Sequence, residues 1–109
     1  MTDIKETIRL ADLEPVFVKW DTREPTSYIE VSDIKDANGV QFYCPRGGEK
    51  ACHLLIWTLG VPLSMSPTPG RWTMCGTSLQ DLTLYPSVDV SNNSCGCGWH
   101  GWVEKGICR

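Results

Sequence analysis

The chain has 109 residues, a formal net charge of −3, 41% hydrophobic and 21% charged residues, six cysteines and five tryptophans. That length suits a single domain with a modest core, and the acidic balance argues against a nucleic-acid binder, whose surface is normally basic. No run reaches the ~18 consecutive apolar residues of a membrane span, and the mixed-charge start Met1-Thr2-Asp3-Ile4-Lys5-Glu6 lacks an apolar signal core, so the expected compartment is the cytoplasm.

Residues 1–14 carry Ile4, Ile8, Leu10 and Leu13 among charges, a pattern open to a short helix or an edge strand, and Glu14-Pro15 ends it. Val16-Phe17-Val18-Lys19-Trp20 is rich in residues that suit a pleated sheet. Tyr28-Ile29-Glu30-Val31 alternates apolar and polar as a half-buried strand does. Asp36-Ala37-Asn38-Gly39 predicts a turn, and Val40-Gln41-Phe42-Tyr43 predicts a strand leading into Cys44. Cys52 to Leu59 reads as a buried strand, residues 60–70 as a long loop, and Arg71-Trp72-Thr73-Met74 as a short strand. Leu82-Thr83-Leu84-Tyr85 is another strand, ended by Pro86-Ser87, and residues 91–94 form a loop. Gly101 to Glu104, Lys105-Gly106 and Ile107-Cys108 predict a closing hairpin. The expected fold is therefore mostly β, a small single domain over 1–109. Residues 1–35 form an N-terminal extension with hairpin elements, and 40–109 form a core in which two loops meet at a Cys/His metal site, zinc-ribbon-like or Rieske-like.

The metal expectation begins at Cys95-Gly96-Cys97-Gly98-Trp99-His100-Gly101-Trp102. A thiol and an imidazole three residues apart, set among glycines that permit a tight turn, make half of a metal site. The other half falls on the Cys44-Pro45-Arg46-Gly47-Gly48 turn and on His53, the only other histidine. Cys44, His53, Cys97 and His100 thus form a candidate Cys2His2 zinc site, with Cys95 as a substitute ligand. Such a site would join the middle of the chain to its C-terminal end, so metal affinity would become folding free energy. Cys52, Cys75 and Cys108 read as buried inert thiols. In an oxidising compartment three disulfides would account for the same six cysteines.

No catalytic residues are expected. Asp81 and Glu104 stand in no recognised catalytic spacing, and Asp81 reads as a turn or capping residue before a strand. A protein-binding role is favoured, with Trp99, Trp102, Arg46 and Arg71 as the interface set. A nucleic-acid-binding zinc domain is the alternative that salt-dependent retention would select.

Cys97-Gly98-Trp99-His100-Gly101-Trp102 also resembles the second ligand loop of Rieske domains, which implies a [2Fe-2S] centre and electron transfer as an alternative cofactor and function. That family's first loop, Cys-x-His, has no counterpart here. A wider pattern resembles a family of small phage and bacterial proteins of unknown function: a Cys-Pro-x-Cys-Gly turn, a downstream His, a Thr-Leu-x-Pro-Ser block and a terminal Cys-x-x-His. Here it runs through Cys44-Pro45, His53, Thr83-Leu84-Tyr85-Pro86-Ser87, and Cys97 to His100, covering about residues 40–109. The second cysteine of the first turn falls on Gly47, which removes one ligand. Some members stand beside bacterial ubiquitin-like conjugation genes; others are phage proteins, some labelled ammonia monooxygenase. The resemblance implies a metal-binding fold and, for a phage-encoded member, a modulator or inhibitor of a host defence system in the host cytoplasm.

Overall fold

The structure, a computed structural model, describes residues 8–21, 28–45, 53–65, 70–89 and 99–109. Among them the strands are β1 (Ile8–Arg9), β2 (Val16–Trp20), β3 (Tyr28–Val31), β4 (Gly39–Tyr43), β5 (His53–Trp57), β6 (Thr73–Cys75), β7 (Thr83–Asp89), β8 (His100–Glu104) and β9 (Ile107–Cys108). They form two antiparallel sheets, ordered β1-β9-β8-β7-β6 and β3-β2-β4-β5.

Alternation decides which way each strand faces. In the four-stranded sheet Phe17, Val40, Phe42, Leu54 and Ile56 point to one side. They meet Leu82, Leu84, Val88, Trp99, Val103 and Cys108 of the five-stranded sheet and its approaches in one buried cluster. Full burial of an aliphatic or aromatic side chain stabilises by about 1.5–3 kcal/mol, so this shared cluster is what joins the two sheets. The far side of the four-stranded sheet buries Val18 and Trp57 under Val61 and Met65. Residues 61–65 are held there by Arg71, whose guanidinium donates to the carbonyls of Val61 (2.9 Å), Pro62, Met65 (2.9 Å) and Gly70 (2.6 Å).

The described residues before β4 contribute to both sheets: β2 lies between β3 and β4, and β1 pairs with β9. The first segment resolves into β1 followed by a 3-10 turn over Leu10–Leu13. Three features differ from the sequence expectation. The bend before β4 is a 3-10 turn at Ile34–Asp36, capped by the Asp33 side chain. Asn38 spends its amide oxygen on the Trp20 N–H at 3.0 Å, while Gly39 opens the strand. The third is Pro86, which does not end its strand: β7 continues through a cis Tyr85–Pro86 bond to Asp89. The ladder to β8 is broken at that point, with register shifting between Leu84 and Val88, so proline's missing N–H costs no ladder bond.

Candidate functional site

The inner faces of β7 and β8 belong to the core, so their other residues face outward. Leu84 and Val88 are buried, while Tyr85, Ser87 and Asp89 lie on the outer side. On β8, Gly101 and Val103 are buried while His100 and Trp102 are exposed. Leu84 pairs with Val103 and Val88 with Gly101, so three residues of β7 (85 to 87) stand opposite the single residue Trp102. Two extra residues leave Leu84 and Val88 both facing the core, with Ser87 in the bulged stretch between them. Bulges commonly re-aim a side chain.

The result is a contact between two polar side chains that are distant in sequence. Ser87 Oγ lies 3.2 Å from His100 Nε2, within hydrogen-bond reach. The Ser87 carbonyl accepts from the Trp72 indole N–H at 3.1 Å, which fixes the backbone behind the hydroxyl. The His100 ring stacks on Trp102, with centroids 6.0 Å apart and planes 20° apart. Asp89 pairs directly with His100 in the ladder; such cross-strand neighbours have Cβ atoms about 4.5–5.5 Å apart. With Nε2 unprotonated, the imidazole can accept the serine proton. A hydroxyl with a base in reach is the minimum arrangement for a nucleophilic serine.

Of the residues expected to bind metal, Cys44, His53 and His100 are among the described residues. Cys44 is buried at the end of β4, with 1% of its surface exposed. His53 is exposed at the start of β5 and stacks on Tyr43, its ladder partner, at 4.3 Å. His100 stands in the other sheet, against Ser87. Cys95, Cys97, Gly47 and Cys52 lie outside the described residues, and among the described residues no group of three or more His, Cys, Asp or Glu could hold a metal ion.

Of the interface set, Arg46 also lies outside the described residues. Trp102 is 49% exposed, whereas Trp99 is 7% exposed and packed into the core. The bareness of Gly101 makes room for it, since a Cβ there would come within 2.8 Å of the Trp99 ring. Arg71 is committed to loop carbonyls, as described above. Ser87 enters the sequence expectation only as the end of a strand; its signal is its place in the Thr-Leu-x-Pro-Ser block.

Fold and site together define a two-sheet β protein carrying a serine–histidine pair on an exposed sheet face. The chain belongs to the family described as bacterial ubiquitination-like system serine protease (BubE), whose model matches residues 17–109. This agrees with the expected association with ubiquitin-like conjugation genes. No curated protein and no solved structure matches the chain. Among the described residues no helix is long and apolar enough to cross a membrane.

Proposed function

We propose that this protein is a serine hydrolase of a bacterial ubiquitination-like system, cleaving an acyl bond of a protein substrate with Ser87 as nucleophile and His100 as general base. The observation that carries this reading is the 3.2 Å approach of Ser87 Oγ to His100 Nε2 on an open face, in a chain whose family is described as serine proteases. The reading departs from the expected absence of catalytic residues.

The steps follow from these two groups. As Ser87 Oγ attacks the substrate carbonyl carbon, its proton passes to His100 Nε2. The tetrahedral intermediate collapses, His100 returns the proton to the leaving group, and an ester to Ser87 remains. Water then attacks that ester, losing its proton to His100, and as the acid product leaves His100 hands that proton to Ser87 Oγ, which regenerates both groups. We assign Asp89, across the ladder from His100, to orient the imidazole through its other nitrogen.

In this reading His100 is engaged by Ser87, so a zinc site in this chain would draw on Cys44, His53, Cys95 and Cys97 and serve the fold rather than the reaction. The test is covalent labelling with a fluorophosphonate probe, read by intact-mass spectrometry. Wild-type protein gains one adduct, mapped to Ser87; Ser87→Ala gains none, and His100→Ala is slowed by about 100-fold or more. Metal content measured on the same samples is the same in His100→Ala as in the wild type. Undiminished labelling of Ser87→Ala would sink the assignment of the nucleophile, and metal lost only from His100→Ala would return that residue to the ligand set.

A further inference from the structure

The face that carries Ser87 and His100 continues along the strands into two adjoining hollows. One, of about 490 Å3, is lined by Trp102, Glu104 and Arg109. The other, of about 450 Å3, lies among Thr83, Tyr85, Glu104, Lys105, Ile107 and Arg109. Glu104 and Arg109 line both, so they form one groove.

Its two ends differ in chemistry. The end nearest the serine is aromatic: Tyr85 is 52% and Trp102 49% exposed, and each lies two residues along its strand from Ser87 or His100. The far end is cationic. Arg109 forms an ion pair with Glu104, while the ammonium of Lys105, exposed at the β8–β9 turn, has no ion-pair partner among the described residues. With Arg109 and Glu104 engaged with each other, Lys105 is the side chain there that offers a charge to a ligand. The Lys105 backbone is fixed, since its N–H donates to Thr83 Oγ1 at 2.9 Å.

We propose that this groove binds one extended arm of the substrate chain, seating an apolar side chain against Tyr85 and Trp102 and an acidic side chain at Lys105. The proposal rests on Ser87 being the nucleophile. Residues 85 to 87 all stand opposite Trp102, so the aromatic pair lies beside the serine, while Lys105 lies three residues beyond Trp102; a strand advances about 3.3 Å per residue. On an extended peptide running along these strands the apolar residue therefore falls next to the scissile bond and the acidic residue further out, on the same side.

The experiment uses one array of peptides randomised on both sides of a central bond. Wild-type protein is read for cleavage, Ser87→Ala for binding, and fluorophosphonate labelling of the wild type runs alongside. Cleavage and binding are expected to select an aromatic or aliphatic residue close to the scissile bond and Asp or Glu further out on the same side, the acidic residue favoured by about fivefold over Lys. In Trp102→Ala the apolar selection falls by about tenfold. In Lys105→Glu the selection at the outer position reverses toward Lys or Arg. Because selection is a ratio within each variant, a change in overall activity does not disturb it. If labelling succeeds but selection is flat, or Lys105→Glu leaves it unchanged, the groove is overturned while Ser87 stands. If labelling fails but Ser87→Ala shows the selection, the catalytic reading falls and the groove stands as a peptide site. If both fail, both are overturned.

Discussion

Asp81 shows how much one carboxylate can organise at the mouth of a strand. It accepts from the Thr77 hydroxyl at 2.8 Å, the Thr77 N–H at 2.9 Å and the Ser78 N–H at 2.8 Å. The Thr77 hydroxyl first, then the two backbone N–H groups, hold its carboxyl below the ordinary value of 3.8. A folded-state pKa below the unfolded one gives stability that is present above the unfolded value and lost as pH falls through the folded one. Thermal unfolding of wild type and Asp81→Asn across pH should therefore show the wild type melting higher at neutral pH, with the gap closing in strong acid. A gap that persists unchanged into strong acid would mean the charged form plays no part. This residue was legible in the sequence, because a carboxylate at a turn before an apolar run has a local job. Ser87 was not, because its partner is thirteen residues away and the contact depends on a break in pairing that alternation does not reveal. Trp99 and Trp102 read alike as aromatics beside a glycine; only the pairing of β8 shows that one faces the core and the other the solvent.

At the scale of the strand, β8 is the element that ties core to site, because its residues serve the two in strict alternation. Gly101 is the tightest position in it: a side chain there would press on the Arg109 carbonyl as well as on Trp99. Trp102 and Arg109 exchange both backbone hydrogen bonds at 2.9 and 3.0 Å, so β9 cannot retreat without breaking them. Gly101→Ala should cost about 1–3 kcal/mol in denaturant unfolding and also lower the rate of Ser87 labelling, because it displaces the backbone next to His100. Unchanged stability would show that the β8–β9 pairing yields easily. The strands with clear patterns, β2, β3, β4 and the β8–β9 hairpin, could be read from the sequence almost to the residue. The end of β7 could not: proline is a sound stop signal only when the ladder needs its N–H, and at Pro86 the ladder is already open.

Across the whole molecule, the shared core sets what each thiol can do. Cys44 and Cys108 are each 1% exposed, and burial pushes the Cys108 thiol up to about 12. Cys75, at the end of β6, is exposed. Thiolate is the reactive form, so brief alkylation of the native protein followed by peptide mapping should modify Cys75 and spare Cys44 and Cys108 until the protein unfolds. Early modification of Cys108 would mean that the two sheets part readily. The same core explains how the Ser87–His100 contact can sit on an open surface: the strands beneath it are held from behind, by Leu84, Val88 and Val103. The two surplus residues of β7 have a consequence for any attempt to improve this protein by selection. Deleting two residues between Leu84 and Val88 would keep every side chain on its present face and restore an unbroken ladder with β8. A screen for heat resistance alone would reward that shorter, straighter strand, and its most robust survivors would be the ones in which the serine no longer meets its histidine.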